Sequence, residues 1–263
     1  MFIDSSAAKL LHILMLAVDL THISKYYKTS FLHGLLSNSD NAAPALNELS
    51  LSIAQGETLG IIGPNGSGKS TLLKIILGLL TPNSGQALIF GKPAQSVEAK
   101  NLTAYIQEEQ TFDLNLRAVD ILQFFCMLAK IPKSQQAAII DPQLAAFNLT
   151  EVYHQKLRTY SKGMIQRLAI IIATLHHPKL MILDEPTSGM DPSGVKLMYD
   201  QLAKLKSQGM TLIICSHDLA DLNDICDRVL ILNKGQSIFH GELNNGVTQH
   251  GNLLETYHHF IHP

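Results

Sequence analysis

The sequence predicts an α/β fold, in which helices cover a largely parallel sheet and antiparallel strands lie near the N-terminus. The chain has 263 residues, of which 46% are hydrophobic, so it can bury a sizeable core. Short apolar runs at 180–185, 211–217 and 228–233 are typical of buried parallel strands, and helical patterns separate them. An earlier apolar run at 58–63 enters a glycine-rich loop and then a helix, which indicates a strand–loop–helix unit.

The first strands are predicted from alternation of polar and apolar residues. Residues 16–24 and 46–54 alternate in this way, which favours antiparallel pairing. Between them, residues 28–44 are polar and turn-rich, which indicates a surface insertion of open role. Residues 10–18 resemble a secretory signal core, but no small-residue cleavage site follows. We therefore expect a dispensable N-terminal extension over residues 1–14, with Met15 as an alternative start.

Prolines and turns delimit the later elements. Residues 86–91 and 102–107 are predicted strands, and the pattern is largely helical from about 108 to 178. Helices should stop before Pro132, Pro142 and Pro178. Residues 236–241 form a last predicted strand, and 244–263 a short, mobile C-terminal tail.

Composition excludes several classes of protein. The net charge is −2, which argues against a nucleic-acid partner. Three widely spaced cysteines favour reduced thiols in a cytosolic compartment. No run approaches the roughly 20 apolar residues that span a bilayer, so we expect no membrane-spanning segment.

The strongest chemical pattern is GPNGSGKST at 63–71. Its glycines let backbone amides wrap around phosphates. Lys69 is expected to reach the β and γ phosphates of a nucleotide, and Ser70 to ligate Mg²⁺. The alternative is a glycine-rich turn with an incidental lysine, which the flanking strand and helix disfavour. The predicted nucleotide-binding residues of this loop are Gly63, Pro64, Asn65, Gly66, Ser67, Gly68, Lys69, Ser70 and Thr71.

Polar residues also end two of the buried strands. Asp184 and Glu185 follow the apolar run that starts at Leu180, at the edge where α/β sheets place ligands. We expect Asp184 to hold Mg²⁺ through water and Glu185 to polarise the attacking water. His217 ends another strand and is expected to contact the γ-phosphate. The alternatives are a helix-capping acidic pair and a structural histidine.

Taken in order, these elements resemble the ATP-binding subunit of ABC transporters over about residues 15–243. Residues 63–71 match its Walker A motif, Gln107 its Q-loop, 161–166 its signature motif, 180–185 its Walker B motif, 187–191 its D-loop and His217 its switch histidine. The resemblance implies a P-loop NTPase with an N-terminal antiparallel β subdomain and a helical subdomain at about 108–178, and ATP and Mg²⁺ as its nucleotide and metal. It implies catalytic roles for Glu185, His217 and Gln107, and Ser70, Gln107 and Asp184 as metal ligands. It also implies that Tyr27 stacks on adenine, with the adjacent Tyr26 as the alternative.

The resemblance also gives a role to the stretch YSKGMIQRL at 160–168. Ser161 can cap a helix whose first-turn amides point outward. In this family two subunits pair head to tail, so Ser161 and Gly163 would complete the nucleotide site of a partner, and Asp191 of the D-loop is also expected at that site. The stretch departs from the common LSGGQ at Tyr160, Lys162 and Met164. It is similar to the branch that serves separate ABC-2-type membrane subunits, mostly exporters.

We therefore expect an ATPase that powers a separately encoded permease at the inner face of the cell membrane. The dimer could contain identical or different ATPase subunits, and the sequence specifies neither the transported substrate nor, with certainty, its direction. The alternative is a soluble, non-transport ABC ATPase acting on nucleic acid or the ribosome. The stripe Phe124, Phe125, Met127 and Leu128 is expected in the core of the helical subdomain, with part of it facing the membrane partner.

Overall fold

A computed structural model describes residues 15–27, 44–243 and 253–261. The predicted extension at 1–14 and nearly all of the insertion at 28–44 lie outside the described residues. The chain divides into two compact units, the first formed by residues 1–100 and 215–263 and the second by residues 101–214.

An antiparallel sheet in the first unit confirms the predicted N-terminal strands. The strands are β1 (Leu16–Lys25), β2 (Leu46–Ala54), β4 (Ser84–Ile89) and β5 (Lys92–Pro93), and their order is β2-β1-β4-β5. β1 pairs antiparallel with both β2 and β4. Alternate side chains such as Leu49, Leu51 and Ile53 are buried, so the period-2 pattern marks the core face of this sheet.

The first unit also contains the strands that frame the glycine-rich loop. β3 (Thr58–Ile62) pairs in parallel with β9 (Arg228–Asn233), and β10 (Gln236–Glu242) pairs antiparallel with β9, so the pairing is mixed. Every residue of β3 is buried. The helices of this unit are α1 (Lys69–Ile76), α2 (Val97–Asn101), α7 (Leu219–Ile225) and α8 (Leu253–Ile261).

In the second unit, α5 lies against the parallel strands that carry the acidic pair. β6 (Thr103–Ile106) pairs in parallel with β7 (Leu180–Asp184), and β8 (Thr211–Cys215) is the other neighbour of β7. The helices are α3 (Ala118–Leu128), α4 (Lys133–Ala146), α5 (Lys162–Thr174) and α6 (Pro192–Ser207), with 3₁₀ turns at Thr150–Val152 and Leu157–Thr159. The side of α5 that is buried carries Leu168, Ile170 and Ile171.

One predicted helix end was wrong. α4 continues through Pro142 to Ala146, although proline removes one backbone hydrogen bond. The side-chain amide of Gln143 donates to the carbonyl of Ile139 (3.3 Å), and Thr174 donates to Gln143 (2.7 Å). These bonds and the buried Leu144 hold the helix beyond its proline. α3 and α5 stop before Pro132 and Pro178 as predicted, at Leu128 and Thr174.

The described part of the tail is helical, because Leu253–Ile261 forms α8. Leu253 and Thr256 are buried, and the rings of Phe260 and Phe239 lie 5.3 Å apart. The sequence stretch is rich in histidine, which conceals the helical spacing of its apolar residues.

The stripe on α3 was wrongly placed in the core. Phe124, Met127 and Leu128 are 51%, 67% and 61% exposed, and Phe125 is half-buried. The opposite side of α3 carries the buried residues Ile121, Leu122 and Cys126, because an amphipathic helix buries one face only.

Candidate functional site

The glycine-rich loop after β3 has a conformation that its glycines make possible. The φ angles of Gly63, Gly66 and Gly68 are +155°, +78° and +110°. A Cβ on Gly63 would lie 2.2 Å from the carbonyl oxygen of Leu232, and one on Gly68 would lie 2.5 Å from that of Ala45. A Cβ on Gly66 would meet nothing within 4 Å. The outer glycines are therefore required by close packing, whereas Gly66 leaves open space beside the backbone.

Lys69 and Ser67 give this loop its polar interior. The Lys69 ammonium donates to the carbonyl oxygens of Gly63 (2.6 Å) and Pro64 (3.2 Å), so it folds back over the loop. Ser67 is buried, and its hydroxyl has no hydrogen-bond partner among the described residues. α1 begins after Gly68 without a side-chain cap, so its first amides are available to an anion. A cation, an unsatisfied hydroxyl and uncapped amides fit a phosphate group.

The hairpin between β9 and β10 is hydrogen-bonded to the glycine-rich loop. Its turn residues Lys234 and Gly235 have φ angles of +48° and +77°, as a tight two-residue turn requires. The amide of Gly235 donates to the carbonyl of Ser67 (2.9 Å), and the amide of Asn47 donates to the carbonyl of Gly235 (2.8 Å). The loop is thus attached to the hairpin and to β2.

Tyr27 lies beside the end of the loop. Its hydroxyl is 3.2 Å from that of Thr71, and its side chain is 50% exposed. Tyr26 is similarly exposed, at 47%, and its backbone amide donates to Asn83. Of the two tyrosines, Tyr27 is therefore the one whose side chain contacts the predicted nucleotide loop.

His217 follows β8 in the first unit and is exposed. Together with Asp218, Asn223 and Leu253 it lines a cavity of about 770 Å³ beside α7 and α8. The imidazole therefore lies at an accessible edge of this unit.

In the second unit, the acidic pair ends a buried strand as predicted. The hydroxyl of Tyr105 on β6 donates to Asp184 (3.4 Å). Glu185 has a φ of +47°, which is unfavourable for a residue with a side chain. The amide of Ser188 donates to the carbonyl of Glu185 (3.1 Å), so a turn holds this conformation. Such strain is concentrated at functional residues.

Gln107 follows β6 and is connected to α5. Its carbonyl accepts from the side-chain amides of Gln110 (2.8 Å) and Gln166 (3.3 Å). Gln166 is a buried residue of α5. The segment after β6 and the helix of the signature stretch are therefore hydrogen-bonded to each other.

Ser161 caps α5 as the sequence predicts. Its hydroxyl accepts from the amide of Met164 (3.2 Å), and its own amide donates to the Met164 sulfur (3.4 Å). The arrangement is a capping box in which methionine replaces the usual acidic residue. The Tyr160 hydroxyl donates to the carbonyl of Val152 (2.9 Å), and burial raises the pKa of Tyr160 to about 12. Tyr160 therefore remains a neutral donor at physiological pH.

Arg167 is a residue that the sequence interpretation missed. It donates to the carbonyls of Gly163 (3.2 Å) and Phe147 (2.8 Å). Burial lowers the pKa of Arg167, and nearby Asp191 opposes this shift. The hydroxyl of Ser193 and, to a lesser extent, Arg167 hold the pKa of Asp191 below its usual value. The sequence signal for this role was a charged residue within the apolar run 165–173, because charged side chains are rarely buried unless they are paired.

The predicted site residues divide between the two units. The first unit holds the glycine-rich loop, Tyr27 and His217. The predicted residues of the second unit are Gln107, Ser161, Gly163, Asp184, Glu185 and Asp191. None of the described helices is long and apolar enough to cross a membrane.

Comparison with known proteins finds one family throughout. The family model described as ABC transporter matches residues 46–188. An ABC transporter ATP-binding protein of Synechocystis is 37% identical over 228 residues, which cover 86% of this chain and 63% of that protein. The Bacillus subtilis protein YdbJ, also named as an ABC transporter ATP-binding protein, is 39% identical over 194 residues, or 73% of this chain and 62% of that protein. Nod factor export ATP-binding protein I of Rhizobium meliloti is 32% identical over 200 residues, or 75% of this chain and 60% of that protein. The chain thus spans less than two thirds of the length of each of these relatives.

Two solved structures have the same fold. One is described as an ATP-binding subunit of an ABC transporter. Its TM-score is 0.75 at 26% identity, and the match covers 87% of this chain and 91% of that chain. The other is cbiO1 from Clostridium perfringens, described as part of the ABC transporter complex cbiONQ. Its TM-score is 0.75 at 26% identity, with 87% of this chain and 89% of that chain covered.

Proposed function

The chain belongs to the ABC transporter family of ATP-binding proteins, and on that premise we propose that it hydrolyses ATP to power a separate membrane permease. The observation that carries this proposal is the loop at 63–71, where Lys69, the unsatisfied Ser67 hydroxyl and the uncapped start of α1 converge. The positive φ angles of its glycines are those that let backbone amides turn toward a phosphate.

In this proposal Lys69 exchanges the carbonyls of Gly63 and Pro64 for phosphate oxygens. Tyr27 lies at the end of the loop and supplies a flat surface for adenine. Ser70, Gln107 and Asp184 are the proposed Mg²⁺ ligands, since hydroxyl, amide and carboxylate oxygens suit this hard cation. When bound, Mg²⁺ neutralises charge on the phosphates.

Glu185 is the proposed base. Its carboxylate orients a water and accepts the proton that this water loses as its oxygen bonds to the γ-phosphorus. The bond from that phosphorus to the β–γ bridging oxygen breaks, and ADP leaves with this oxygen. The left-handed backbone at Glu185 restricts the directions in which the carboxylate can point. His217 is proposed to donate to the γ-phosphate oxygens, and Gln107 to assist in positioning the water.

Ser161, Gly163 and Asp191 are proposed to act on the ATP of a second ATPase subunit, either identical or related. Ser161 is exposed at the start of α5, and Gly189 of the neighbouring loop is exposed as well. A helix N-terminus at an accessible surface can close on a phosphate and release it again. The head-to-tail pairing and its dependence on ATP belong to this proposal.

The exposed face of α3 is proposed as the surface that the permease contacts. This α3 face consists of Phe124, Met127 and Leu128, and the nearby Leu114 and Leu116 are also exposed. Large apolar side chains that are exposed together on one helix face mark protein interaction sites. We therefore place the protein at the inner side of the membrane, bound through its permease, and we propose export as the direction because a Nod factor export protein is among its relatives. Lysine at Met127 and Leu128 should prevent co-purification with the permease and leave nucleotide binding by the isolated chain unchanged.

The function is tested by comparing Lys69→Ala with Lys74→Ala, which removes an exposed cation farther along α1. Lys69→Ala should lose ATP binding and turnover, because the loop loses its cation, whereas Lys74→Ala should behave like the wild type. The measurements are equilibrium nucleotide binding and Mg²⁺-dependent phosphate release. Equal turnover in the two variants would remove the phosphate-loop assignment.

A further inference from the structure

Three polar side chains from separate segments of the second unit meet at the start of α5. The Lys162 ammonium donates to the Ser188 hydroxyl (3.2 Å), and this hydroxyl donates to the Glu108 carboxylate (3.4 Å). We propose that the Lys162–Ser188–Glu108 bridge is a positioning device that fixes the 187–191 loop against the first turn of α5. The proposal rests on the proposed function, because it assigns the bridge to the presentation of Ser161 and Asp191 as one surface.

The chemistry of the bridge is directional. A lysine ammonium has only donors, and an ionised carboxylate has only acceptors. The serine hydroxyl between them can accept a hydrogen bond from Lys162 and donate its own O–H to Glu108, so one orientation of the hydroxyl satisfies both bonds. Lys162 and Glu108 are exposed, so the bridge contributes little to global stability. Its effect is therefore on the geometry of the segments that it joins.

Close packing on both sides of the bridge supports its proposed positioning role. Gly189 has a φ of +74°, and a Cβ there would lie 3.2 Å from Cδ of Lys162. A Cβ on Gly163 would lie 3.3 Å from Cγ of Met190. Each segment thus places a glycine where the other approaches, which allows the hydrogen bonds to form without strain in the neighbouring side chains.

A charge interaction also acts at the far end of the same loop. Arg167 on α5 and Asp191 interact through their charges, and Arg167 is also bonded to the carbonyl of Gly163. The 187–191 loop therefore meets α5 through the hydrogen bond at Ser188 and through close packing at Gly189, and the charges of Arg167 and Asp191 attract each other. Of these attachments, the one at Ser188 also reaches the segment after β6.

The hydrogen bond from Ser188 to Glu108 extends the bridge beyond α5 and the 187–191 loop to the segment after β6. Glu108 directly follows Gln107, whose carbonyl is bonded to Gln166 of α5. A displacement of the 107–110 segment therefore pulls on Ser188 through Glu108 and on α5 through Gln166. Lys162 is the residue that couples those two movements, since it alone of the three bridge residues belongs to α5.

The experiment compares Lys162→Met with Lys162→Arg, Ser188→Ala and Glu108→Gln. The matched control is Glu109→Gln, which neutralises the adjacent exposed carboxylate. In nucleotide-free protein, Lys162→Met and Ser188→Ala should accelerate amide hydrogen exchange across 187–191 by about 3- to 10-fold. Lys162→Arg should retain most of the protection, and Glu109→Gln should match the wild type.

The kinetic measurement separates positioning from binding. In Lys162→Met, kcat should fall about fivefold while KM for ATP stays unchanged, because the proposed role of the residue is to position Ser161 and Asp191 and not to bind the nucleotide. Adding Glu108→Gln to Lys162→Met should produce little further loss, because the bridge is already open. Unchanged exchange in Lys162→Met, or fully additive losses in the double variant, would overturn the proposal. If the wild type showed no ATP hydrolysis, the proposed function would fail, while the exchange measurement would still decide whether the bridge exists.

Discussion

Glu185 combines a proposed chemical role with an unfavourable backbone. The residue ends a buried strand with a φ of +47°, and the turn to Ser188 maintains it. Because the strain lies in the backbone, glutamine at this position should keep the conformation and lose only the basic carboxylate. Substitution of Glu185 by glutamine therefore tests the chemical role without changing the fold.

Glu185→Gln should retain ATP binding and slow hydrolysis by about 10²-fold or more, as expected when a water-orienting base is lost. If hydrolysis opens the dimer, the variant should accumulate as an ATP-bound dimer on size-exclusion chromatography. A variant that remains monomeric at high ATP and high protein concentration, with a heterologous partner subunit excluded, would contradict the pairing mechanism.

Tyr27→Ala should raise the dissociation constant for ATP by about 3- to 10-fold and leave kcat at saturation nearly intact, because adenine stacking is remote from the reacting phosphate. The matched control is Tyr26→Ala, which removes a neighbouring ring of almost equal exposure. The measurement is titration with ATP and ADP. A larger effect of Tyr26→Ala would show that the adenine register is displaced by one residue.

At the scale of elements, α5 is the helix that is hydrogen-bonded to several separate segments of the second unit. Ser161 caps it, Gln166 bonds it to Gln107, and Arg167 connects it to Phe147 and Asp191. The sequence predicted the cap and the apolar face because both are local patterns. It did not predict the role of Arg167, because the partners of a side chain distant in sequence are set by tertiary packing.

Ser161→Arg should leave ATP binding by the isolated subunit nearly unchanged and reduce hydrolysis sharply, because a bulky cation blocks the surface that closes on the partner. Mixing this variant with Lys69→Ala decides whether Ser161 acts in trans. A mixed dimer combines the intact loop of one chain with the intact signature stretch of the other, so partial ATPase activity should return. No recovery in demonstrated mixed dimers would mean that the stretch serves its own chain.

Other elements show where sequence patterns fail. Pro142 predicts a helix end, yet packing of Leu144 and the bonds of Gln143 keep α4 intact. The stripe on α3 is apolar but exposed, because hydropathy identifies an apolar face and does not specify whether the same chain or a partner covers it. The conformation of the glycine-rich loop was predictable in detail, because it requires glycines at positions with positive φ angles and few other structures require them at this spacing.

At the scale of the whole molecule, long-range polar contacts stabilise the first unit. Arg228 on β9 forms a salt bridge to Glu57 (2.9 Å) and donates to the carbonyl of Ser52 (3.1 Å). It also contacts the ring of His240 on β10. Burial and the charge of Arg228 lower the pKa of His240 to about 4. The cluster therefore joins β2, the turn before β3, β9 and β10, and the guanidinium beside His240 favours a neutral imidazole.

This shift gives stability a pH dependence. The unfolded chain binds a proton on His240 below about pH 6.5, whereas the folded chain resists it down to about pH 4. The free energy of unfolding should therefore fall as the pH is lowered from 7 toward 4, by about 1 kcal/mol at pH 5 from this residue after allowance for solvent screening. Urea unfolding of wild type and His240→Gln between pH 7 and 5 measures the difference. If the free energy of unfolding changed equally with pH in the two proteins, the pH dependence could not be assigned to His240.

The attachment of the glycine-rich loop to the β9–β10 hairpin has a thermodynamic consequence. Because Ser67, Gly63 and Gly68 are already confined by Gly235, Leu232 and Ala45, the loop has little conformational freedom left to lose when a nucleotide arrives. Preorganisation of this kind reduces the entropic penalty of association. Nucleotide capture by the isolated chain should accordingly be rapid and should show only a small change in heat capacity, so that any slow, strongly temperature-dependent phase reports closure between subunits.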